Sequence, residues 1–243
     1  ASGGESASGG EATARSVVPA ATVTGPYSLA LRTGDVGRAG SLAGLLGQEL
    51  ATLAAAGCSL VIVDEPAAVG IGADPVAHRA FHDAQAAMLA PAPDLHAMLA
   101  ITGGSAWEAG AATILAAPYR SYLFDLVAGP DNWYLVRAVP GDRGVVCAAL
   151  KAPTREDQSS LLVWAARYAA SSNGRGVERV GLANASSLAD LHVDDALGAI
   201  AALARAARLA AMEPGDAIAA GLDRRTFAQP PRRGARRGGV PRA

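Results

Sequence analysis

The 243-residue sequence predicts a parallel α/β fold built from six strand-then-helix units. Three observations carry that expectation. Short, wholly apolar runs alternate with longer segments rich in alanine and leucine, the pattern of strands and crossover helices in a parallel sheet. Those runs show little polar alternation, as expected of strands covered on both faces. Glycines and polar residues gather just after each run, where the strand ends of α/β proteins share a common mouth.

In chain order the predicted strands are 20–25 (AATVTG), 59–64 (SLVIVD), 95–102 (LHAMLAIT), 120–127 (RSYLFDLV), 144–150 (GVVCAAL) and 177–183 (VERVGLA). Helices are predicted at 40–56, 75–90, 106–117, 131–138, 155–172 and 193–212. Glu156 and Asp157 are placed in the first turn of the fifth helix, where negative charge suits the helix dipole, and the glycines of "SSNGRG" stop it. Asp194 and Asp195 play the same part for the last helix, whose Leu197, Ile200, Ala201, Leu203 and Ala204 form a predicted apolar stripe.

The ends read differently from the middle. Residues 1–17 hold mainly Gly, Ser, Ala and Glu and are expected to be a flexible leader; 18–213 form the folded domain; 214–243 are expected to be a basic, disordered tail. Residues 224–243 carry seven Arg and no acid, leaving 14 basic against 22 acidic residues elsewhere. Only Phe227 interleaves those arginines, so the tail is read as solvated and nucleic acid is not an expected partner. Of 21 basic residues only Lys151 is Lys, which fits a GC-rich coding bias better than a binding role. Cys58 and Cys147 sit in or beside apolar runs and are read as small buried hydrophobes, which favours a reducing, cytoplasmic setting. No apolar stretch approaches the roughly 18 residues of a membrane span, so no membrane partner is expected.

The opening of the shared mouth is where function is expected. Asp64 and Glu65 close the second strand; "TGPYS" follows the first, "TGGSAWE" the third, "KAPT" the fifth and "NASS" the sixth, while Asp125 lies in the fourth. Each motif alone suits a turn or a helix cap. Gathered on one rim they point to a small-molecule pocket.

These segments carry a resemblance. "TGPYSLALR" followed by "LAAAGCSLVIVDEPA" resembles paired segments of the catalytic barrel of cobalamin-independent methionine synthase, where a T-G-P turn and a D-E-P-A strand end occur in the same order. The likeness continues in order and spacing through "LAITGGSAWEAG", "SYLFDLVAG", "GVVCAALKAPTREDQSSLL" and "VERVGLANASSLADL". The resemblance implies a TIM-barrel-like (β/α) fold, here incomplete, whose six units correspond to strands three to eight of the eight-stranded barrel. It also implies methyl transfer from methyltetrahydrofolate to the homocysteine thiol, with zinc holding that thiol as thiolate.

Against that pattern the ligands are changed. Where the family has His-x-Cys this sequence has Ala100, Ile101 and Thr102; where it has Glu there is Asp125; and its last Cys corresponds to Ser186. His78 and His82, four apart on a predicted helix, read as a solvated face, and His96 and His192 fall outside the pattern. The expected reading is therefore a degenerate member with no metal and no cofactor, inactive or binding a ligand only. Asp64, which the resemblance makes the contact for a substrate amino group, leads the expected ligand residues, with Glu65, Gly103, Gly104 and Ser105 beside it; an amino acid is one candidate ligand. Glu65 on its own residues would cap or pair locally beside Pro66. Two alternatives stand: an active S-methyltransferase with an altered or partner-supplied metal site, and an unrelated doubly wound α/β binding domain. Six strands cannot close an eight-stranded cylinder, so a fragment, an open sheet or a covering partner is expected, and an exposed sheet edge would favour self-association.

Overall fold

The computed structural model describes residues 18–153 and 156–213; the predicted leader and tail lie outside the described residues. Six strands, β1 (Ala20–Thr24), β2 (Leu60–Asp64), β3 (His96–Ile101), β4 (Ser121–Asp125), β5 (Gly144–Leu150) and β6 (Val180–Asn184), form one parallel sheet in sequential order. All six lie within the stretches read from the sequence, apart from Asn184 at the end of β6. Sequential order has a geometric consequence: right-handed crossovers then place every connecting helix on the same side of the sheet. That is the arrangement of a (β/α) barrel; a doubly wound sheet reverses its strand order midway, and this one does not. β1 pairs with β2 and β6 with β5, so among the described residues the sheet is an arc with two edges.

The helices are α1 (Pro26–Arg32), α2 (Ala39–Ala55), α3 (Pro75–Leu89), α4 (Ala111–Ile114), α5 (Asn132–Ala138), α6 (Ser159–Ser171) and α7 (Val193–Ala211). Val61, Val63, Leu99, Tyr122, Phe124, Val145 and Cys147 are buried on the sheet, in one cluster with Leu50, Phe81, Met88 and Leu162 of the helices. Burial pushes the Cys147 thiol up to about 12, so it is a packing residue. Alternate residues such as Ile62, Leu123 and Val146 are only half-buried, as befits the opposite face of an arc.

Several expectations are corrected. α1 was not foreseen, because "TGPYS" reads as a turn; Pro26 in fact opens a helix, at the one position where its missing N–H costs nothing. The helix expected at 106–117 is broken into a 3₁₀ turn and the four-residue α4 by Gly110, whose φ is +78°. α6 starts at Ser159, so Glu156 and Asp157 precede it, and the Asp157 carboxylate accepts the Ser159 N–H instead. Most of the predicted stripe of α7 faces outward: Leu197 and Ile200 are 59 % and 51 % exposed, while Ala199, Ala206 and Ala210 are buried and, of the stripe, Leu203 alone packs half-buried against the core. Small alanines let α7 approach closely, and an all-round apolar sequence does not say which face will be chosen.

Arg175 joins the last units together. It is fully buried without a carboxylate partner among the described residues. Its Nε donates to Arg143 O (2.9 Å), Nη1 to Ala169 O (2.6 Å) and Nη2 to Val139 O (2.8 Å), tying the ends of α5 and α6 to the start of β5. Replacing it strands those carbonyls in the interior. Arg175→Met is expected to lower the unfolding free energy by about 3 kcal/mol in chemical denaturation, because each orphaned buried group costs ~1–3 kcal/mol.

Candidate functional site

The rim is assembled from three carboxylates that end up in different situations. Glu65, the first residue beyond β2, is fully buried. Its Oε1 accepts the Tyr27 N–H (3.0 Å) and Gln85 Nε2 (2.6 Å), and its Oε2 accepts the Ser28 N–H (2.7 Å). The Tyr119 hydroxyl donates to Gln85 Oε1 at 2.5 Å, extending the chain toward β4. A carboxylate facing the first free N–H groups of α1 satisfies donors that the helix leaves unpaired. The fit requires glycine at 25: a Cβ there would lie 2.2 Å from Glu65 Oε1. The T-G-P and D-E-P-A motifs are therefore two halves of one contact. Glu65 does not cap locally; its partners lie 37 and 38 residues upstream and 20 downstream.

Asp125 ends β4 and is 2 % exposed. Its Oδ2 accepts the Gly103 N–H (3.0 Å), and Oδ1 accepts the N–H groups of Val127 and Ala128 (2.9 Å each). Buried Asn132 works beside it: Oδ1 accepts the Ala106 N–H (2.9 Å), while Nδ2 donates to the carbonyls of Gly104 (2.9 Å) and Asp125 (2.8 Å). Together they pin the loop after β3 to the end of β4. Gly129 passes so close that an added Cβ would lie 2.3 Å from Gly104 O. Gly103 and Gly104, expected as ligand contacts, thus have main-chain groups engaged in holding this loop. The Ser105 hydroxyl accepts the Trp107 N–H at 3.3 Å, and the Trp107 ring lies 4.9 Å from that of Tyr134, tilted by 32°.

Asp64 is the third carboxylate. It is the last residue of β2, in register between Thr24 and Ala100, and only half-buried. Thr102 Oγ1 donates to its Oδ1 at 3.3 Å; Oδ2 has no hydrogen-bond partner among the described residues. Burial raises its pKa, and the Thr102 hydroxyl partly offsets that rise.

The structure brings Asp64, Ala100, Thr102 and Asp125 to three adjacent strand ends, whereas Ser186 is exposed and donates to Ala152 O (3.2 Å). As a donor set for zinc these residues do not fit: a methyl, two hydroxyls and a carboxylate already holding three amides offer neither thiolate nor imidazole. Among the described residues no three His, Cys, Asp or Glu side chains cluster as metal ligands do. The histidines have separate partners, His78 with Gly72 O, His82 with Asp83, His96 with Ser121 and His192 with the Asp194 N–H. Two important residues escaped sequence reasoning, Gln85 and Asn132. Gln85 was detectable as a polar residue at helical spacing between Phe81 and Met88 on the buried face of α3. Asn132, at the start of α5, left no comparable pattern.

The fold and the rim define a (β/α) barrel arc with its polar residues at the carboxyl ends of the strands. No family model and no curated protein matches the sequence. Among solved structures, the chain is similar to a B12-independent methionine synthase from Shewanella sp. W3-18-1 in complex with selenomethionine, with a TM-score of 0.64 and 14 % identity. It is also similar to a protein from Listeria monocytogenes described as a vitamin-B12-independent methionine synthase, with a TM-score of 0.62 and 13 % identity. Both alignments cover 78 % of this chain and 61 % and 63 % of the respective structures, so the chain spans less than two thirds of either.

Two outcomes follow from the Glu65 contact. Gly25→Ala is expected to lower the unfolding free energy by about 3 kcal/mol or more, measured by urea titration, because the new Cβ displaces a buried carboxylate from its donors. Burial also raises the Glu65 pKa above 4.5 despite its hydrogen bonds. A raised carboxyl pKa in the native state contributes stability that is complete below the unfolded value and is lost as pH rises through the folded one. Denaturation across that window should show wild-type stability falling relative to Glu65→Gln as pH climbs from 4.5.

Proposed function

We propose that this chain is a methionine-synthase-like barrel protein that binds an amino acid, or a small molecule with a similar cationic group, at Asp64, without zinc and without methyl transfer. One observation carries the reading. Of the three rim carboxylates, Glu65 and Asp125 have both oxygens engaged by the protein, and Asp64 alone retains an acceptor with no partner among the described residues. A half-buried carboxylate with one free oxygen is suited to a ligand ammonium, which offers up to three N–H donors and a compensating charge. Thr102, where a metal-binding relative would place a thiolate, donates to that carboxylate and orients it. The likeness to methionine synthases in fold supports the same location for the ligand, since barrel proteins place their sites at the carboxyl ends of the strands.

The reading is tested by titrating the full chain with methionine and with homocysteine in a calorimeter. Binding is expected without added zinc. Asp64→Asn should weaken it about ten- to hundredfold, since a charge-assisted hydrogen bond contributes ~1.5–3 kcal/mol. Because only the ionised carboxylate holds an ammonium, affinity should rise with pH through the raised Asp64 pKa and then level off. Equal affinity in wild type and Asp64→Asn, or zinc-dependent methyl transfer to homocysteine, would contradict it.

A further inference from the structure

The opposite end of the sheet carries a row of arginines. The residue immediately before β4, before β5 and before β6 is arginine in each case: Arg120, Arg143 and Arg179. Ser121 pairs with Gly144 and Val145 with Val180, so the three arginines leave neighbouring strands at the same edge. Parallel neighbours are about 4.8 Å apart, which keeps three such side chains within reach of one small ligand. They line a cavity of about 430 Å³ together with His96, Tyr119 and Asp142. That volume is in the ~300–1,000 Å³ range of small-molecule sites.

The protein holds each guanidinium by one nitrogen. Arg143 Nη1 donates to the Tyr122 hydroxyl (2.7 Å) and to the Leu115 and Ala117 carbonyls (3.2 and 3.4 Å). Arg179 Nη1 donates to Arg175 O (3.2 Å) and Glu178 Oε1 (3.4 Å), and Arg120 Nη2 donates to Pro93 O (3.2 Å) with exposed Asp94 3.9 Å away. The remaining nitrogen of each terminal pair has no partner among the described residues, and Arg143 has no carboxylate within 4.0 Å there. Asp142 is the one acid on the cavity wall. His96 bonds Ser121 Oγ at 2.8 Å, and burial together with Arg120 pushes its pKa down. Arg120 and Arg179 each have one exposed acidic neighbour, Asp94 and Glu178, and Arg143 has none within 4.0 Å among the described residues, so three guanidinium groups lining one cavity favour an anion held between them. Planar forks with free N–H groups match tetrahedral oxyanions best.

We propose that this amino-terminal rim pocket binds a phosphate group, either free phosphate or the phosphate of a small monoester, at a place separate from Asp64. It faces away from the acidic carboxyl-terminal rim, and two ligands could occupy the barrel together.

Calorimetry on the full chain tests it, at constant ionic strength set with sodium chloride, using inorganic phosphate and glycerol 3-phosphate as probes. The seven arginines of residues 224–243 are the same in every variant, so differences between variants read the pocket. Expected results are saturable phosphate binding, at least a tenfold loss in the Arg120→Gln/Arg179→Gln double variant, and tighter binding in Asp142→Asn. Arg143 is left intact because its Nη1 holds the Tyr122 hydroxyl and two main-chain carbonyls, where Arg120 and Arg179 each hold one carbonyl, and thermal unfolding in chloride establishes that the variants remain folded. Saturating phosphate should raise the His96 pKa in NMR titration, an effect absent from the double variant. Tighter binding of the ester identifies a monoester ligand, and equal binding identifies the free anion. Unchanged phosphate affinity in the double variant, or stabilisation by chloride equal to that by phosphate, would overturn the proposal.

Discussion

The arc depends on one buried carboxylate. Glu65 leaves the end of β2, crosses to the first N–H groups of α1 and meets Gln85 of α3, which in turn receives the Tyr119 hydroxyl ahead of β4. Four chain segments are thereby fixed relative to one another, through groups that burial makes costly to leave unpaired. Gly25 is what makes room for the carboxylate, and Pro26 opens the helix that receives it.

This arrangement determines what chemistry remains at the mouth. With Glu65 committed to α1 and Asp125 to the loop after β3, the rim has two carboxylates whose acceptors are engaged by the protein and one, half-buried Asp64, with an oxygen that has no partner among the described residues. Soft-metal chemistry needs sulfur or nitrogen donors, and the residues at the corresponding strand ends are Ala100, Thr102, Asp125 and Ser186. The two ends of the sheet also differ in composition: carboxylates alone close β2 and β4, while Arg120, Arg143 and Arg179 precede β4, β5 and β6 with Asp94, Asp142 and Glu178 near them.

The strands were legible because a buried parallel strand is a bounded apolar run with a distinctive edge, and Leu60–Asp64 and Gly144–Leu150 fall directly on theirs. Helix faces were less so. In α7 apolar residues occur on both sides, and the inward face is the one of Ala199, Ala206 and Ala210 with Leu203 and Leu209 beside them, leaving Leu197 and Ile200 exposed, a choice set by tertiary packing. Asp64 and Glu65 are legible as a pair, but not that Asp64 stays half-buried with one oxygen unpaired while Glu65 is wholly buried: the place of Glu65 rests on Gly25, 40 residues earlier. Long-range hydrogen bonds of this kind, like those of Asn132 to the loop after β3, leave no periodic trace.

The most direct measurement is equilibrium dialysis of the full chain against buffered zinc, with metal quantified by elemental analysis in wild type and in Asp125→Asn. The account predicts no zinc held at one per chain and no difference between the two proteins. One tightly held zinc per chain, lost in Asp125→Asn, would contradict it, because a carboxylate bound by three amides would then have to be a metal ligand.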